Sequence, residues 1–175
     1  MATRIVLIRA VNVGGAKLPM AELRELAIDL GATDVSTYIA SGNLLCTPPG
    51  EPTSFDRALE KAIEEKYGYF REVISRSDTD LEAALAAHPF DVVEPKYSYV
   101  YALTGIPAKA AVDGFAKKDF GADVFEVIGN NLHIRYDAGA GTSKLTAPVI
   151  ARGLGVQGTG RNLRTVRKLI DLARS

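Results

Sequence analysis

Short apolar runs alternate along this chain with segments in which apolar residues recur at helical spacing. Residues 4–10 form an apolar, partly β-branched run that predicts a buried strand, and Leu23, Leu26 and Leu30 then follow the spacing of a helix. Gly42-Asn43 suits a tight type II′ hairpin between two further strands. The first half is predicted to contain strand 4–10, helix 19–30, strands 34–40 and 44–47, helix 53–67 (capped by Thr53) and strand 70–76. This βαββαβ order is typical of a ferredoxin-like sandwich.

The second half repeats much of this order. It is predicted to contain helix 77–87, strand 97–104, helix 107–118, strands 123–128 and 132–136, and two closing helices, 143–152 and 159–173. Residues 31–35, Gly-Ala-Thr-Asp-Val, precede the first hairpin, and residues 121–124, Gly-Ala-Asp-Val, precede the second. The agreement in element order between the halves indicates an internal duplication.

The predicted fold class is therefore α+β. We expect two ferredoxin-like lobes of the βαββα type packed together, with an extra C-terminal helix. The expected divisions are an N-terminal lobe over residues 1–76, a second lobe over 77–158 and an amphipathic helix over 159–175. At 175 residues the whole chain can also count as one compact domain.

Composition narrows the class of protein. Hydrophobic residues make up 47% of the chain and charged residues 24%, which are ordinary globular values. The 21 basic and 21 acidic residues balance, so the surface as a whole should attract neither nucleic acid nor an anionic membrane, although a local basic patch stays open. Cys46 is the only cysteine and is expected to be a buried thiol. We expect a cytoplasmic location and no membrane partner, because no signal-peptide core or membrane-spanning run is present.

Three segments resemble the bacterial family called domain of unknown function 1697. Residues 9–15, Arg-Ala-Val-Asn-Val-Gly-Gly, are similar to its Arg-Gly-Ile-Asn-Val-Gly-Gly signature. Residues 37–43, Thr-Tyr-Ile-Ala-Ser-Gly-Asn, are similar to its Thr-Tyr-Ile-Gln-Ser-Gly-Asn segment, and residues 159–169 resemble its closing Thr-Ala-Arg-Asn helix. These segments extend from one end of the chain to the other, so the resemblance covers essentially all of it.

The chain departs from the family pattern at Ala10, Ala40 and Gly160, where the family has Gly, Gln and Ala. If the Gln position contacts a ligand in relatives, Ala40 does not supply that contact here. The resemblance implies a fold of two ferredoxin-like lobes and a bacterial, cytosolic setting. It implies no reaction.

The loop that follows the first strand is the first candidate site. A strand, a loop containing Gly14 and Gly15, and a helix can present backbone N–H groups to an anion, with Arg9 or Lys17 adding charge. The spacing matches neither the P-loop nor the dinucleotide-binding pattern. The alternative is a tight turn in which the glycines supply positive φ and Asn12 bonds the loop's own backbone.

The segment Ser41-Gly42-Asn43 is the second candidate. Its functional interpretation has Ser41 and Asn43 facing the same pocket as the first loop. The alternative is that these residues only form a hairpin turn and bind no ligand.

The start of the predicted last helix is the third candidate. Thr159 can cap this helix, and Arg161 and Asn162 would then lie in its first turn, where free N–H groups favour an anion. Residues 151–175 contain one acidic residue, Asp171, and six basic residues: Arg152, Arg161, Arg164, Arg167, Lys168 and Arg174. Four of them, Arg161, Arg164, Arg167 and Lys168, fall on one basic arc of the helix, which suggests contact with phosphate or nucleic acid. The alternative is the solvated face of a docking helix.

The sequence offers little for catalysis. His88 and His133 are the only histidines, and both are expected to be structural. No spacing of His, Cys or carboxylate residues suggests a metal site, and no catalytic triad can be assigned from the sequence. The cofactor, if there is one, is unknown.

Three functional hypotheses follow. The first is a non-catalytic module that binds a phosphate-bearing small molecule or nucleic acid. The second is an enzyme that holds a small polar substrate between the lobes, with Arg9, Asn12, Ser41, Asn43 and Arg161 as donors. The third is an interaction protein that has an exposed apolar patch and no polar pocket, and its protein partner is unknown.

Overall fold

The computed structural model of the protein describes residues 3–175. Within these residues the fold is mixed α/β, with two four-stranded antiparallel sheets and six α-helices. The first elements are β1 (Arg4–Ile8), α1 (Met20–Asp29), β2 (Thr33–Thr37), β3 (Asn43–Thr47), α2 (Pro52–Tyr67), β4 (Val73–Ser77) and α3 (Asp78–Ala87). The later ones are β5 (Ser98–Leu103), α4 (Lys109–Ala116), β6 (Val124–Ile128), β7 (Asn131–Arg135), α5 (Ala147–Leu154), β8 (Gly158–Asn162) and α6 (Leu163–Arg174). No helix of this range is long and apolar enough to span a bilayer.

The chain divides into two compact units. Unit 1 contains the residues up to Leu81 together with Lys168–Ser175, and unit 2 contains Glu82–Arg167. Each unit holds one sheet, and the strand orders are β2-β3-β1-β4 and β6-β7-β5-β8. The two sheets therefore have the same order of strands, as the predicted duplication requires.

Unit 1 is built around its central strand. β1 pairs with β3 on one side and β4 on the other, so its Ile5–Ile8 run is almost fully buried. Apolar residues of α1 and α2 recur at helical spacing and pack on this sheet. The cluster contains Val6, Ile8, Leu23, Ala27, Leu44, Cys46, Phe55, Leu59, Ile63 and Val73. Cys46 is buried as predicted, and desolvation raises the pKa of its thiol to about 12.

Unit 2 has a comparable core with more aromatic residues. Phe115 of α4 packs with Phe120 and Phe125, with ring centroids 5.6 Å and 5.0 Å away. Gly153 of α5 lies against the Phe115 ring, where a Cβ would come within 2.8 Å of the ring. Glycine at this position therefore lets α5 approach α4 closely.

The predicted closing helix 159–173 is wrong at its start. Residues Gly158–Asn162 form β8, the fourth strand of the second sheet, and α6 begins only at Leu163. Tyr101 of β5 pairs with Gly160, and its ring lies over that glycine. A Cβ on residue 160 would come within 2.5 Å of the ring, so the glycine is what lets this segment pair with β5 as a strand.

Two local predictions also need correction. Glu51, and not Thr53, caps α2, because its carboxylate accepts hydrogen bonds from the N–H groups of Thr53 and Ser54. Gly42-Asn43 is not a two-residue turn, since residues 38–42 connect β2 to β3. The second hairpin does have a two-residue turn, Gly129-Asn130.

Candidate functional site

Three loop segments meet at one end of the sheet of unit 1. They are residues 9–18, 38–43 and 69–72, which we call the loop cluster. They come together because β1 ends where β3 and β4 begin. The N–H of Ile8 donates to the carbonyl of Gly42 (2.9 Å), and the N–H of Arg9 donates to the carbonyl of Glu72 (3.0 Å). The loop cluster contains seven of the nine predicted site residues: Arg9, Asn12, Gly14, Gly15, Lys17, Ser41 and Asn43.

Asn12 joins two of these segments. Its Nδ2 donates to the carbonyls of Leu18 (2.9 Å) and Ala40 (2.5 Å), and its Oδ1 accepts the N–H of Leu18 (2.8 Å). The predicted alternative, that Asn12 bonds the loop's own backbone, describes the two bonds to Leu18, and the bond to Ala40 goes beyond it. These bonds fix the loop after β1 against the loop that connects β2 to β3.

Asn43 holds the second segment in shape. Its side chain is fully buried, and Nδ2 donates to the Tyr38 carbonyl and to Ser41 Oγ, both at 3.0 Å. The main-chain carbonyl of Asn43 also accepts the N–H of Tyr38. Ser41 and Asn43 thus make the internal bonds of a turn, as their alternative interpretation expects.

The charges of the loop cluster are unevenly paired. Its charged residues are Arg9, Lys17, Arg71 and Glu72. Arg9 Nε lies 2.8 Å from Glu72 Oε1, so the one carboxylate is neutralised inside the loop cluster. Arg71 donates to the carbonyls of Ala10 and Phe70, and among residues 3–175 neither Arg71 nor the exposed Lys17 has a carboxylate partner. The loop cluster therefore carries an uncompensated positive charge.

The backbone after β1 has an unusual conformation. φ is positive at Ala10 (52°), Asn12 (58°), Gly14 (61°) and Gly15 (103°), whereas it is negative at the two valines between them. Alternation of left- and right-handed backbone conformations can turn successive N–H groups to one side and form a concavity that binds anions. Val13, Gly14 and Gly15 are exposed residues, and their N–H groups have no protein acceptor within the described chain. These three donors therefore stay available to a bound group.

Apolar side chains project from all three segments. The exposed fractions are 63% for Val13, 50% for Ile39 and 46% for Phe70. Ile39 also has φ of +51°, which is strained for a β-branched residue. Backbone strain of this kind is common at binding sites, where the surrounding structure maintains it.

Arg161 and Asn162 do not belong to this site. Both lie on β8 in unit 2. Arg161 was predicted to be available to an anion, but it is only 8% exposed. It donates to Thr159 Oγ1 (2.7 Å) and the Gly160 carbonyl (3.0 Å), and desolvation lowers its pKa to about 10. Asn162 caps α6 through the N–H of Thr165 (2.9 Å).

The predicted basic arc is also smaller than the sequence suggests. Of its four residues, Arg161 is buried and Arg164 pairs with Glu94 at 3.8 Å. Arg174, which is outside the arc, pairs with Asp78 at 2.7 Å. Arg167 and Lys168 are the exposed cations of α6 that have no acidic partner within the described residues. Their pair alone gives the helix only a weak attraction for a polyanion.

The two histidines form a pair in unit 2, in which His133 is buried and His88 is half-buried. His88 Nδ1 and His133 Nδ1 are 2.9 Å apart, so one ring donates and the other accepts. Both Nε2 atoms are buried without a partner in the described part of the chain. Desolvation lowers the pKa of both rings, that of His133 to about 4. The pair is therefore neutral at pH 7, which suits a structural role.

Sequence reasoning missed the third segment of the loop cluster. Tyr69 donates its hydroxyl to the Lys17 carbonyl (2.6 Å), and the guanidinium of Arg71 lies 5.1 Å from the Tyr69 ring centroid. The βαββαβ order contained a usable signal, because it places the start of the fourth strand beside the end of the first. Residues 69–72 could have been assigned to the site on that ground.

Comparison with known proteins assigns the chain to a protein family. The model of DUF1697, described as a protein of unknown function, matches residues 1–133. The chain belongs to the DUF1697 family. The conserved bacterial protein SP0830 from Streptococcus pneumoniae has a similar fold, with a TM-score of 0.74, 22% identity and coverage of 100% of this chain and 99% of that one. No curated protein matches the chain.

A second solved structure is much less similar to this DUF1697 protein. It is a proposed glycine cleavage system transcriptional repressor, with a TM-score of 0.23, 15% identity and coverage of 91% of this chain and 95% of that one. A TM-score this low supports no structural or functional argument.

The structure explains two of the departures from the DUF1697 pattern. Ala10 has φ of +52°, a conformation that glycine adopts without strain, so the family's Gly is the better fit to this backbone. At position 160 the Tyr101 ring leaves no room for a Cβ, so the Gly of this chain fits where an Ala would clash.

Proposed function

We propose that this DUF1697 protein is a non-catalytic binding module for a phosphate-bearing ligand or nucleic acid. In this proposal the two units are ferredoxin-like lobes, and the loop cluster of unit 1 is the binding surface. The α6 start is left out of it, because Arg161 is buried and Asn162 is occupied as a cap.

The observation that carries the proposal is the backbone of residues 10–15. φ alternates in sign from Ala10 to Gly14, and the N–H groups of three exposed residues have no protein acceptor. Both features are expected of a concavity that binds anions. Lys17 follows directly and has no carboxylate partner within residues 3–175, so it can add charge to the same anion. A phosphate group has enough acceptor oxygens for several such donors at once.

The enzyme hypothesis is less well supported by these contacts. It needs Asn12, Ser41 and Asn43 as donors to a substrate, yet their side chains hold the loops together. The third hypothesis shares one feature with the proposal, because an interaction protein should also expose apolar side chains such as Val13 and Ile39. The free N–H groups favour an anion over an uncharged protein surface.

A titration with inorganic phosphate tests the proposal. Thermal stability of the whole chain would be followed at constant ionic strength, since a ligand that binds only the folded state raises it. We expect saturable stabilisation that Lys17→Ala weakens by about fivefold in affinity, in line with loss of one charge-assisted contact. Lys144→Ala is the matched control, because Lys144 is an exposed lysine of unit 2. No stabilisation, or equal loss in both variants, would refute the proposal.

A further inference from the structure

We infer that the ligand of the loop cluster is single-stranded nucleic acid, whose phosphates meet the residue 10–17 loop and whose bases meet the apolar side chains around it. This inference rests on the proposed function and names the ligand class for the same surface. It starts from the juxtaposition of an anion-binding backbone with the exposed residues Val13, Ile39 and Phe70.

Hydrogen bonds keep these apolar residues beside the anion-binding loop. Val13 contributes one of the free N–H groups itself. Ile39 precedes Ala40, whose carbonyl is bonded to Asn12, and Phe70 precedes Arg71, whose Nε donates to the Ala10 carbonyl at 3.1 Å. Each exposed apolar side chain therefore lies within a residue or two of a bond that fixes the loop.

The ligand should combine negative charge with flat apolar faces. A single strand does so, because its phosphates repeat along the backbone and its unpaired bases are free to stack. A duplex carries the same phosphates but keeps its base faces inside the stack. Phe70 can supply a stacking surface, and Arg71, which already lies over the Tyr69 ring, can supply a planar cation.

The charge of the loop cluster argues against a membrane surface. Lipid recognition by basic segments generally takes about four to eight lysines or arginines. In the loop cluster, Lys17 and Arg71 are the two cations that have no carboxylate partner within residues 3–175, since Glu72 pairs with Arg9. Two such cations suit one or two phosphates of a strand better than they suit an anionic bilayer.

Two variants separate binding from stability. Ile39→Asn removes the apolar side chain at a position with φ of +51°, where Asn is one of the better tolerated residues. We therefore expect the variant to be at least as stable as the natural chain and yet to bind a strand more weakly. Phe70→Ala removes the aromatic surface. Ile106→Asn is the matched control, because Ile106 is 76% exposed in the corresponding loop of unit 2.

Fluorescence anisotropy would compare a labelled strand of about ten nucleotides with an abasic strand of the same length and charge. We expect the strand with bases to bind about tenfold more tightly. Ile39→Asn and Phe70→Ala should remove most of this difference, and Ile106→Asn should leave it unchanged.

The other outcomes distinguish the two proposals. Equal binding of both strands, lost in Lys17→Ala, would overturn this inference and leave the phosphate-binding proposal standing. No binding of either strand, together with no response to inorganic phosphate, would overturn both. Binding to vesicles of phosphatidylserine and phosphatidylcholine without any preference for the strand with bases would replace nucleic acid by a lipid surface.

Discussion

The two units close the same end of their sheets in the same way, but only unit 1 has a long loop there. In unit 1 the N–H groups of Ile8 and Arg9 donate to the carbonyls of Gly42 and Glu72. In unit 2 those of Leu103 and Thr104 donate to the carbonyls of Asn130 and Gln157. These corresponding pairs of bonds agree with the duplicated order of strands.

The loops at this end differ. Residues 9–19 connect β1 to α1, whereas the shorter stretch 104–108 makes the same connection in unit 2. None of residues 104–108, all of which the structure describes, has positive φ. The fold evidently closes without a long, left-handed loop, so the loop of unit 1 is an addition that the sheet does not need. This difference is the main reason for assigning the function to unit 1.

The largest expected effect concerns Gly42, at the centre of the loop cluster. A Cβ there would lie 2.8 Å from both the Ile8 carbonyl oxygen and Val11 Cγ2, and φ is +91°. We expect Gly42→Ala to lower the free energy of unfolding by about 3 kcal/mol in urea denaturation, because backbone atoms must move. Gly50→Ala is the control, since a Cβ at Gly50 would meet no atom within 4 Å and its φ is not positive. Equal effects of the two would contradict the tight closure described for unit 1.

Acid should destabilise unit 2 through His133. The ring is fully buried, and desolvation lowers its pKa to about 4, whereas an unfolded chain takes up that proton near pH 6.5. The unfolded state therefore binds more protons between these values, and stability falls as the pH drops through this window. We expect a loss of about 2 kcal/mol in amide-exchange protection of unit 2 between pH 7 and pH 4.5. His133→Leu should remove most of this loss, and persistence of the loss in that variant would assign it to other groups.

Asp56 in unit 1 should act in the opposite direction to His133. Desolvation raises the pKa of Asp56 to about 6, although Ser75 donates a hydrogen bond to it at 2.7 Å. The folded state then binds a proton between pH 6 and pH 4 that the unfolded state leaves in solution, so Asp56 should add about 2 kcal/mol to the protection of unit 1 as the pH falls. The lowered pKa values of Glu22, Glu51, Asp78 and Asp80 act against this gain. Asp56→Asn keeps an acceptor for Ser75 and should remove the gain, so unit 1 of the variant should lose more protection in acid than that of the natural chain. Equal losses in the two proteins would contradict the role given to Asp56.

The smallest expected effect is at Ala10. Replacing a residue of φ +52° by glycine relieves about 1–2 kcal/mol of strain and costs part of it through the entropy of the unfolded chain. We expect Ala10→Gly to raise the free energy of unfolding by about 0.5 kcal/mol in urea denaturation. Ala62→Gly, in the interior of α2 where φ is not positive, should lower it instead. A shift of the same sign in both variants would contradict the strain assigned to Ala10.

Local patterns in the sequence were enough to predict most elements of the fold and part of the loop after β1. Hydrophobic periodicity predicted the element order of both halves except for β8, and residues 31–35 and 121–124 indicated a duplication with which the equal strand orders agree. The turn chemistry of Asn12 and the positive φ of Gly14 and Gly15 were also accessible, because each depends on near neighbours in the chain.

Features that depend on distant contacts were not accessible. The burial of Arg161 follows from its place on a strand beside β5, and the pairing of His88 with His133 joins residues far apart in the chain. Strand β8 was predicted as the start of a helix, because the close fit of Gly160 against the Tyr101 ring depends on a residue far away in the sequence. The exposed Phe70 and the neighbouring Arg71 entered the site only through the arrangement of β1 and β4.

The most direct test of the assignment to unit 1 is a nuclear magnetic resonance titration of the ¹⁵N-labelled chain with inorganic phosphate. We expect saturable shifts of the Val13, Gly14 and Gly15 amide signals, and unchanged signals for residues 104–108 and Gly129 of unit 2. Shifts of similar size in both units, or none at the three loop amides, would contradict the assignment.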